Sequence, residues 1–256
     1  MPGSAEAVGG RLPGCVVLPA LTAAAYGSRL TFDGQTFTVQ ATHLMARAAL
    51  GATSRAILVP DIRALQLSAP NGVRSGTLSV GTATGKTLVR YGGRHAGRVT
   101  AIYDALAGAV TCELITVART FTGLSPRQAE KDGFILGSDE RLYGIVEDAE
   151  LMELRRAGGH SPTIVDEGRA AMTNKRIIFT SPRQSREWVL ADLIDIDHAA
   201  DGRWTALNAT GRQMTSGLGY PATAADDVRF RIRLALADFQ GAREALAVSL
   251  EATLRD

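Results

Sequence analysis

The segment VGTATGKTLVRY, residues 80–91, carries the Gly-Lys-Thr of a nucleotide phosphate loop. Such a loop needs the spacing G-x-x-x-x-G-K-[ST] between a strand and a helix, so that successive backbone N–H groups wrap the phosphates. Here Gly81 and Gly85 stand one residue too close, and the TLVRY that follows Lys86 reads as a strand. A glycine-containing hairpin turn is the plainer reading. Asp192, Asp195, Asp197 and His198 put carboxylates and an imidazole together, the donor types of a metal site. On a strand, however, Asp195 and Asp197 share a face while His198 points to the other, which is the pattern of a half-exposed strand. No Ser, Cys or His stands in a nucleophile motif: HSP at 160–162 reads as a loop, and His43 and His95 have no recognisable partners. The motifs therefore point away from an enzyme and imply no cofactor and no metal.

Basic residues are the remaining lead, in three groups. Arg229, Arg231 and Arg233 alternate with apolar residues in VRFRIRLAL (228–236), so a strand there would project all three guanidinium groups from one face. Lys175, Arg176, Arg183 and Arg186 lie in and after a hairpin turn, and Lys86, Arg90, Arg94 and Arg98 form the third group. Each row is either a solvated face paired with acids or a site for an anion.

Period-2 patterning begins at RLTFDGQTFTV (29–39), two β-rich runs around Asp33-Gly34. SRAILVPDIRALQL (54–67) reads as strand, break at Pro60, strand, and GTLSVGTATGKTLVRYG (76–92) as a hairpin. The period then changes: Val99, Ile102, Tyr103 and Leu106 mark one face of a helix over 98–110. Residues 111–139 read as an irregular connection, and DERLYGIVEDAELMELRRAGG (139–159) as a charged helix stopped by glycines. The second half repeats the order: a hairpin in EGRAAMTNKRIIFTS (167–181) turning at Asn174-Lys175, where Asn tolerates positive φ, then strand–break–strand in REWVLADLIDIDH (186–198). Short strands in 203–220, a strand at 228–236 and a helix at 242–254 close the chain. At an offset of 131, VPDIRALQL (59–67) aligns with LADLIDIDH (190–198), which predicts an internal duplication.

At 256 residues with 45% hydrophobic and 21% charged side chains, the chain can build two cores of ordinary domain size. Arginine outnumbers lysine heavily, with only Lys86, Lys131 and Lys175 present, the codon bias of a GC-rich bacterial genome. The net charge of +2 hides a gradient: +6 over 1–120, −3 over 121–158 and −1 over 159–256. Cys15 and Cys112 match no metal or redox spacing, which predicts reduced thiols in the cytoplasm. RLPGCVVLPALTAAAYG (11–27) lacks the leader of a secretory signal, and no sequence window suggests a membrane span.

GRAAMTNKRIIFTSPRQSREWVLADLIDID (168–197) resembles the signature region of bacterial pleckstrin-homology-like (PH-like) domains, in which a TN(K/R)R turn precedes an apolar strand and a basic loop. The first half, from LTFDGQTFTV through ILVPDIRALQL to RYGGRHAGRVTAIYDAL, resembles an actinobacterial family with PH-like repeats, although it lacks the TNKR turn. The resemblance implies a mostly β protein of two PH-like split barrels, each of antiparallel strands followed by a C-terminal helix. The domains expected are 28–110 and 160–256, after a leader (1–27) and around a linker (111–159); a helical hairpin that ends some relatives is not expected here. The resemblance further implies a non-catalytic adaptor in the cytoplasm that binds a protein or peptide in a groove between a helix and a sheet edge. The alternatives are an anionic surface at the inner face of the membrane, with phosphates held by the basic hairpin, and, against the GKT spacing, a nucleotide. Nucleic acid is not expected, since 5% aromatic residues leave little on which to stack bases.

Overall fold

The computed structural model describes residues 20–154, 162–200, 202–211 and 214–254. Its first unit opens with an antiparallel meander of β1 (Leu21–Ala25), β2 (Ser28–Phe32), β3 (Thr36–Ala41) and β4 (Ser54–Leu58). The β2–β3 turn is built by Asp33, whose Oδ1 accepts the Gln35 and Thr36 N–H groups at 2.9 and 2.7 Å, the side-chain mimic of a backbone turn. A short helix, α1 (Leu44–Leu50), sits between β3 and β4. Pro60 breaks the chain into a 3-10 turn, Val59–Asp61, and a second antiparallel sheet follows: β5 (Ile62–Ser68), β6 (Gly76–Thr82) and β7 (Gly85–Tyr91). Alternate residues such as Leu30, Phe32, Phe37, Val39, Leu78 and Val89 fill the space between the sheets, and Val99, Ile102 and Leu106 of α2 (Ala96–Thr120) close it.

The second unit repeats the plan. After α3 (Pro126–Lys131) come β8 (Leu142–Leu154), β9 (Thr163–Thr173), β10 (Arg176–Thr180) and β11 (Ser185–Val189), a 3-10 turn at Leu190–Asp192, then β12 (Leu193–His198), β13 (Trp204–Ala209) and β14 (Thr215–Gly219). Here β8 pairs with both β9 and β14, so one seven-stranded antiparallel sheet runs β11-β10-β9-β8-β14-β13-β12. Helices α4 (Ala225–Phe239) and α5 (Arg243–Ala252) cover it, with Trp188 at the centre of the core and its Nε1 donating to Ser216 at 3.0 Å. The strand–break–strand match is exact in structure: the 3-10 turns at 59–61 and 190–192, and the register shifts at Ile62/Ala64 and Leu193/Asp195, all stand 131 apart.

Five expectations are corrected. The region 111–139 is not all irregular, because α2 continues to Thr120, and its far half buries Ile115 and Ala118 in the second core. The expected charged helix at 139–159 is β8, whose 13 residues pair on both edges; residues 155–161 lie outside the described ones. VRFRIRLAL is not a strand but the body of α4, so the chain closes on two helices. Of the 1–27 leader, Leu21–Ala25 is strand β1 of the first sheet; residues 1–19 lie outside the described ones. Asn174 turns the β9–β10 hairpin without positive φ, its Oδ1 accepting the Arg141 N–H at 2.8 Å instead.

Two smaller departures concern α2. Residues 93–120 are long and apolar enough to cross a membrane by length and composition, although in this fold the helix packs into both cores. Cys112, on the same helix, is disulfide-bonded rather than a free thiol, while Cys15 lies outside the described residues.

Candidate functional site

The first unit gathers most of its unpaired positive charge, Lys86 apart, at one end. There the β1–β2 turn, the β3–α1 junction, the β5–β6 loop and the β7–α2 junction are tied to one another. Tyr26 N–H donates to Arg90 O at 2.9 Å, and Thr42 N–H to Gly27 O at 2.7 Å. Gly27 has φ +66°, and a Cβ there would fall 2.2 Å from His43 Nε2, so the imidazole packs directly on the turn and only glycine fits. His43 also caps α1, its Nδ1 accepting the Ala46 N–H at 3.3 Å. Tyr26 lies against Gly92, and Tyr91 Oη donates to Ser68 O at 3.1 Å, which draws the β5–β6 loop to the same end.

These four segments, 24–30, 41–56, 68–77 and 89–100, contain no Asp or Glu and seven arginines: Arg29, Arg47, Arg55, Arg74, Arg90, Arg94 and Arg98. None of the seven makes an ion pair among the described residues; Arg94 instead donates to His95 Nε2 at 2.9 Å. The acids of the described part of this unit lie elsewhere: Asp33 and Asp61 at the opposite strand ends, Asp104 and Glu113 along α2. The same end exposes apolar side chains, Tyr26 at 57%, Leu44 at 78%, Met45 at 76% and Val73 fully, and α1 buries none of its residues.

The expected basic groups divide differently. Arg90, Arg94 and Arg98 belong to this end, but Lys86 sits at the far end of β7, opposite Gly81. Gly85 has φ +140° and follows the Ala83-Thr84 turn, so the GKT segment is a hairpin with no helix after it. In the second unit Lys175 pairs with Asp139, Arg176 with Glu140 and Glu187, and Arg186 with Glu153 at 2.9 Å. Of that group Arg183 alone is exposed without an ion pair among the described residues, beside Asp166, whose carboxyl is held low mainly by the Ser181 hydroxyl. On α4 the three arginines fan out: Arg229 donates to Ala199 O at 2.7 Å, Arg231 bonds Asp227 and Tyr143 O and lies over the Phe121 ring, and Arg233 donates to Ser249 at 3.2 Å. In both expected rows on the second unit most of the basic groups are bonded within the fold.

Among the described residues no group of His, Cys, Asp and Glu is placed to hold a metal. His198 instead bonds Thr205 Oγ1 at 2.8 Å, which bonds Tyr220 Oη at 2.6 Å. A cavity of about 250 Å³ lies between the units, lined by Val59, Ile62, Leu114, Val117 and Phe230 and bounded by the Arg63–Asp227 pair at 3.0 Å. Sequence reasoning missed Tyr26, His43, Leu44, Met45 and Val73; the run of segments without a single acid was the available signal.

Four- and three-stranded antiparallel sheets closed by one helix in the first unit, and one seven-stranded antiparallel sheet covered by two helices in the second, are the PH-like split-barrel class of fold. No family model and no curated protein matches the chain. Among solved structures it is similar to the N-terminal PH domain of Vps36, with 18% identity over 42% of this chain and 84% of that one and a TM-score of 0.33. It is also similar to the linker-DH/PH domains of p115-RhoGEF (8% identity, 59% of this chain and 49% of that one, TM-score 0.27). A third is the DH/PH domains of PDZ-RhoGEF in complex with activated RhoA (11% identity, 58% and 46%, TM-score 0.28). Strand order and register, rather than these loose overlaps, carry the fold assignment.

Proposed function

We propose that this is a non-catalytic binding protein, a tandem of two PH-like units, whose recognition surface is the acid-free end of the first unit and whose partner is anionic. One observation carries this reading: among the described residues seven arginines without ion pairs share an end that holds no carboxylate, while most basic groups expected on the second unit are already satisfied within the fold. Like charges held together repel unless a counter-charge arrives, so such a surface gains most from an anionic partner. The peptide groove expected from the resemblance has less support. The cavity between the units, about 250 Å³, is smaller than typical ligand pockets and is bounded by an internal ion pair.

The test is binding to a soluble polyanion such as heparin across a salt series. Wild type is retained and released by salt. The pair Arg90→Glu with Arg94→Glu loses retention, whereas Arg183→Glu, exposed on the second unit, keeps it. Equal loss in both variants, or no retention of wild type, overturns the reading.

A further inference from the structure

We propose that the cavity between the two units binds a small molecule with an apolar body and one cationic group, an arylalkyl- or alkylammonium; the site lies at the far end of β4 from the basic segments and is independent of the anionic-partner reading above. Three features carry it. The first is size. At about 250 Å³ the space is below the range that takes drug-sized ligands, yet an apolar cavity of about 150 Å³ is enough to hold benzene. The second is the division of the lining. Its least exposed members are apolar, Val59 at 7%, Ile62 at 6% and Phe230 at 5%, with Leu114 half-buried among them. Its acids are more accessible, Glu113 half-buried and Asp226 exposed, so an apolar body is received inward while a polar group is held toward water. The third is charge. The lining holds three carboxylates, Glu113, Asp226 and Asp227, against two guanidinium groups, Arg63 and Arg231, a net charge of −1. Both guanidinium groups are turned on Asp227, bonding its Oδ1 at 3.0 and 3.3 Å. Glu113 and Asp226 make no ion pair among the described residues. A recess of one sign with low-dielectric walls draws in the opposite charge and turns away its own.

Neither unit makes this site alone. At the offset of 131 that relates the two, Ile194 stands where Arg63 is, so the ion pair bounding the cavity belongs to the joint and not to the repeated fold. The lining comes from the 3-10 turn and β5 of the first unit, from α2 and from the first turns of α4, so a molecule held there touches both units and stabilises them together.

The experiment follows the melting temperature and the methyl NMR signals of the full chain at neutral pH while three probes of one shape are titrated: phenethylamine, a cation, phenethyl alcohol, neutral, and hydrocinnamate, an anion. Phenethylamine is expected to raise the melting temperature saturably and to move the methyl signals of Val59, Leu114 and Val117. The alcohol binds about tenfold more weakly, lacking the charge-assisted bond, and hydrocinnamate does not bind. Leu114→Trp fills the cavity and removes binding of every probe. Because a bulkier residue on α2 can disturb the packing, a second variant changes only the accessible acids. Glu113→Gln with Asp226→Asn keeps the fold, brings the affinity for phenethylamine down about tenfold to that of the alcohol, and leaves the alcohol's affinity unchanged. No binding of any probe overturns the proposal, as does hydrocinnamate or the alcohol binding as tightly as the amine to wild type. Phenethylamine binding that survives both variants also overturns it, since the amine then sits on another acidic surface.

Discussion

Arg176 grips both carboxylate oxygens of Glu140, Nε to Oε1 at 2.9 Å and Nη2 to Oε2 at 3.0 Å, and the Glu140 side chain is only 4% exposed. Burial pushes that carboxyl upward, but Arg176, the Gly137 N–H and the Thr173 hydroxyl outweigh it and hold the group below the usual carboxylate range. Removing the guanidinium leaves a buried charge without its partner. Arg176→Ala is expected to lower stability by about 3–5 kcal/mol in urea denaturation. Arg176→Lys restores only part of this, since an ammonium cannot span both oxygens.

A second arginine closes the helix that joins the two cores. Arg243 Nε donates to Ala118 O at 2.9 Å, and its Nη2 reaches the carbonyls of Val117 and Phe121, acceptors at the C-terminal end of α2. Arg243→Ala is expected to cost about 1.5–3 kcal/mol, the range for hydrogen bonds to a charged group. Amide exchange along 112–120 should accelerate with it; unchanged exchange there would show that α2 needs no cap from α5.

His198 gives the fold a pH dependence of known sign. Burial lowers its pKa first, Arg229 and Arg233 from α4 lower it further, and Asp197 opposes them. The folded state therefore resists protonation that the unfolded chain accepts near 6.5. Stability is full above that value and declines as pH falls from it toward the folded pKa. Thermal unfolding followed between pH 7 and about 5 should show this decline, and His198→Gln should flatten the part of it that this residue contributes.

Lys86 tests the phosphate-loop reading directly. With Gly85 in a hairpin turn and a strand beyond it, no set of N–H groups wraps a phosphate. ATP with magnesium is expected to leave the melting temperature of both wild type and Lys86→Ala unchanged; a wild-type shift lost in the variant would restore the nucleotide hypothesis.

Hairpins and breaks were legible in the chain because their causes are local. Asp33 builds its own turn, and Pro60 and the Ala191-Asp192 pair stand where the strands bend. The two largest misreadings occurred where tertiary surroundings override local pattern. Helix α4 lies against β8, β9, β5 and α5, so Val228, Phe230, Ile232 and Leu234 are all buried on a helix wrapped nearly all round, and the 3.6 period is lost. Strand β8 is rich in Glu, Leu and Met, good helix formers, yet it pairs on both edges and sheet pairing prevails over propensity. The basic groups misled for a related reason: ion pairs such as Arg176–Glu140 bridge 36 residues of sequence, so which arginines remain unpaired is a property of the fold.

Because one helix of 25 residues is shared by two cores, the chain has no joint where a linker was expected. At 1.5 Å per residue α2 is a rod of about 37 Å. It starts two residues beyond Arg94 and ends under Arg243. Whatever fixes the azimuth and tilt of the first unit thereby fixes those of the second, as a mast is set by its footing.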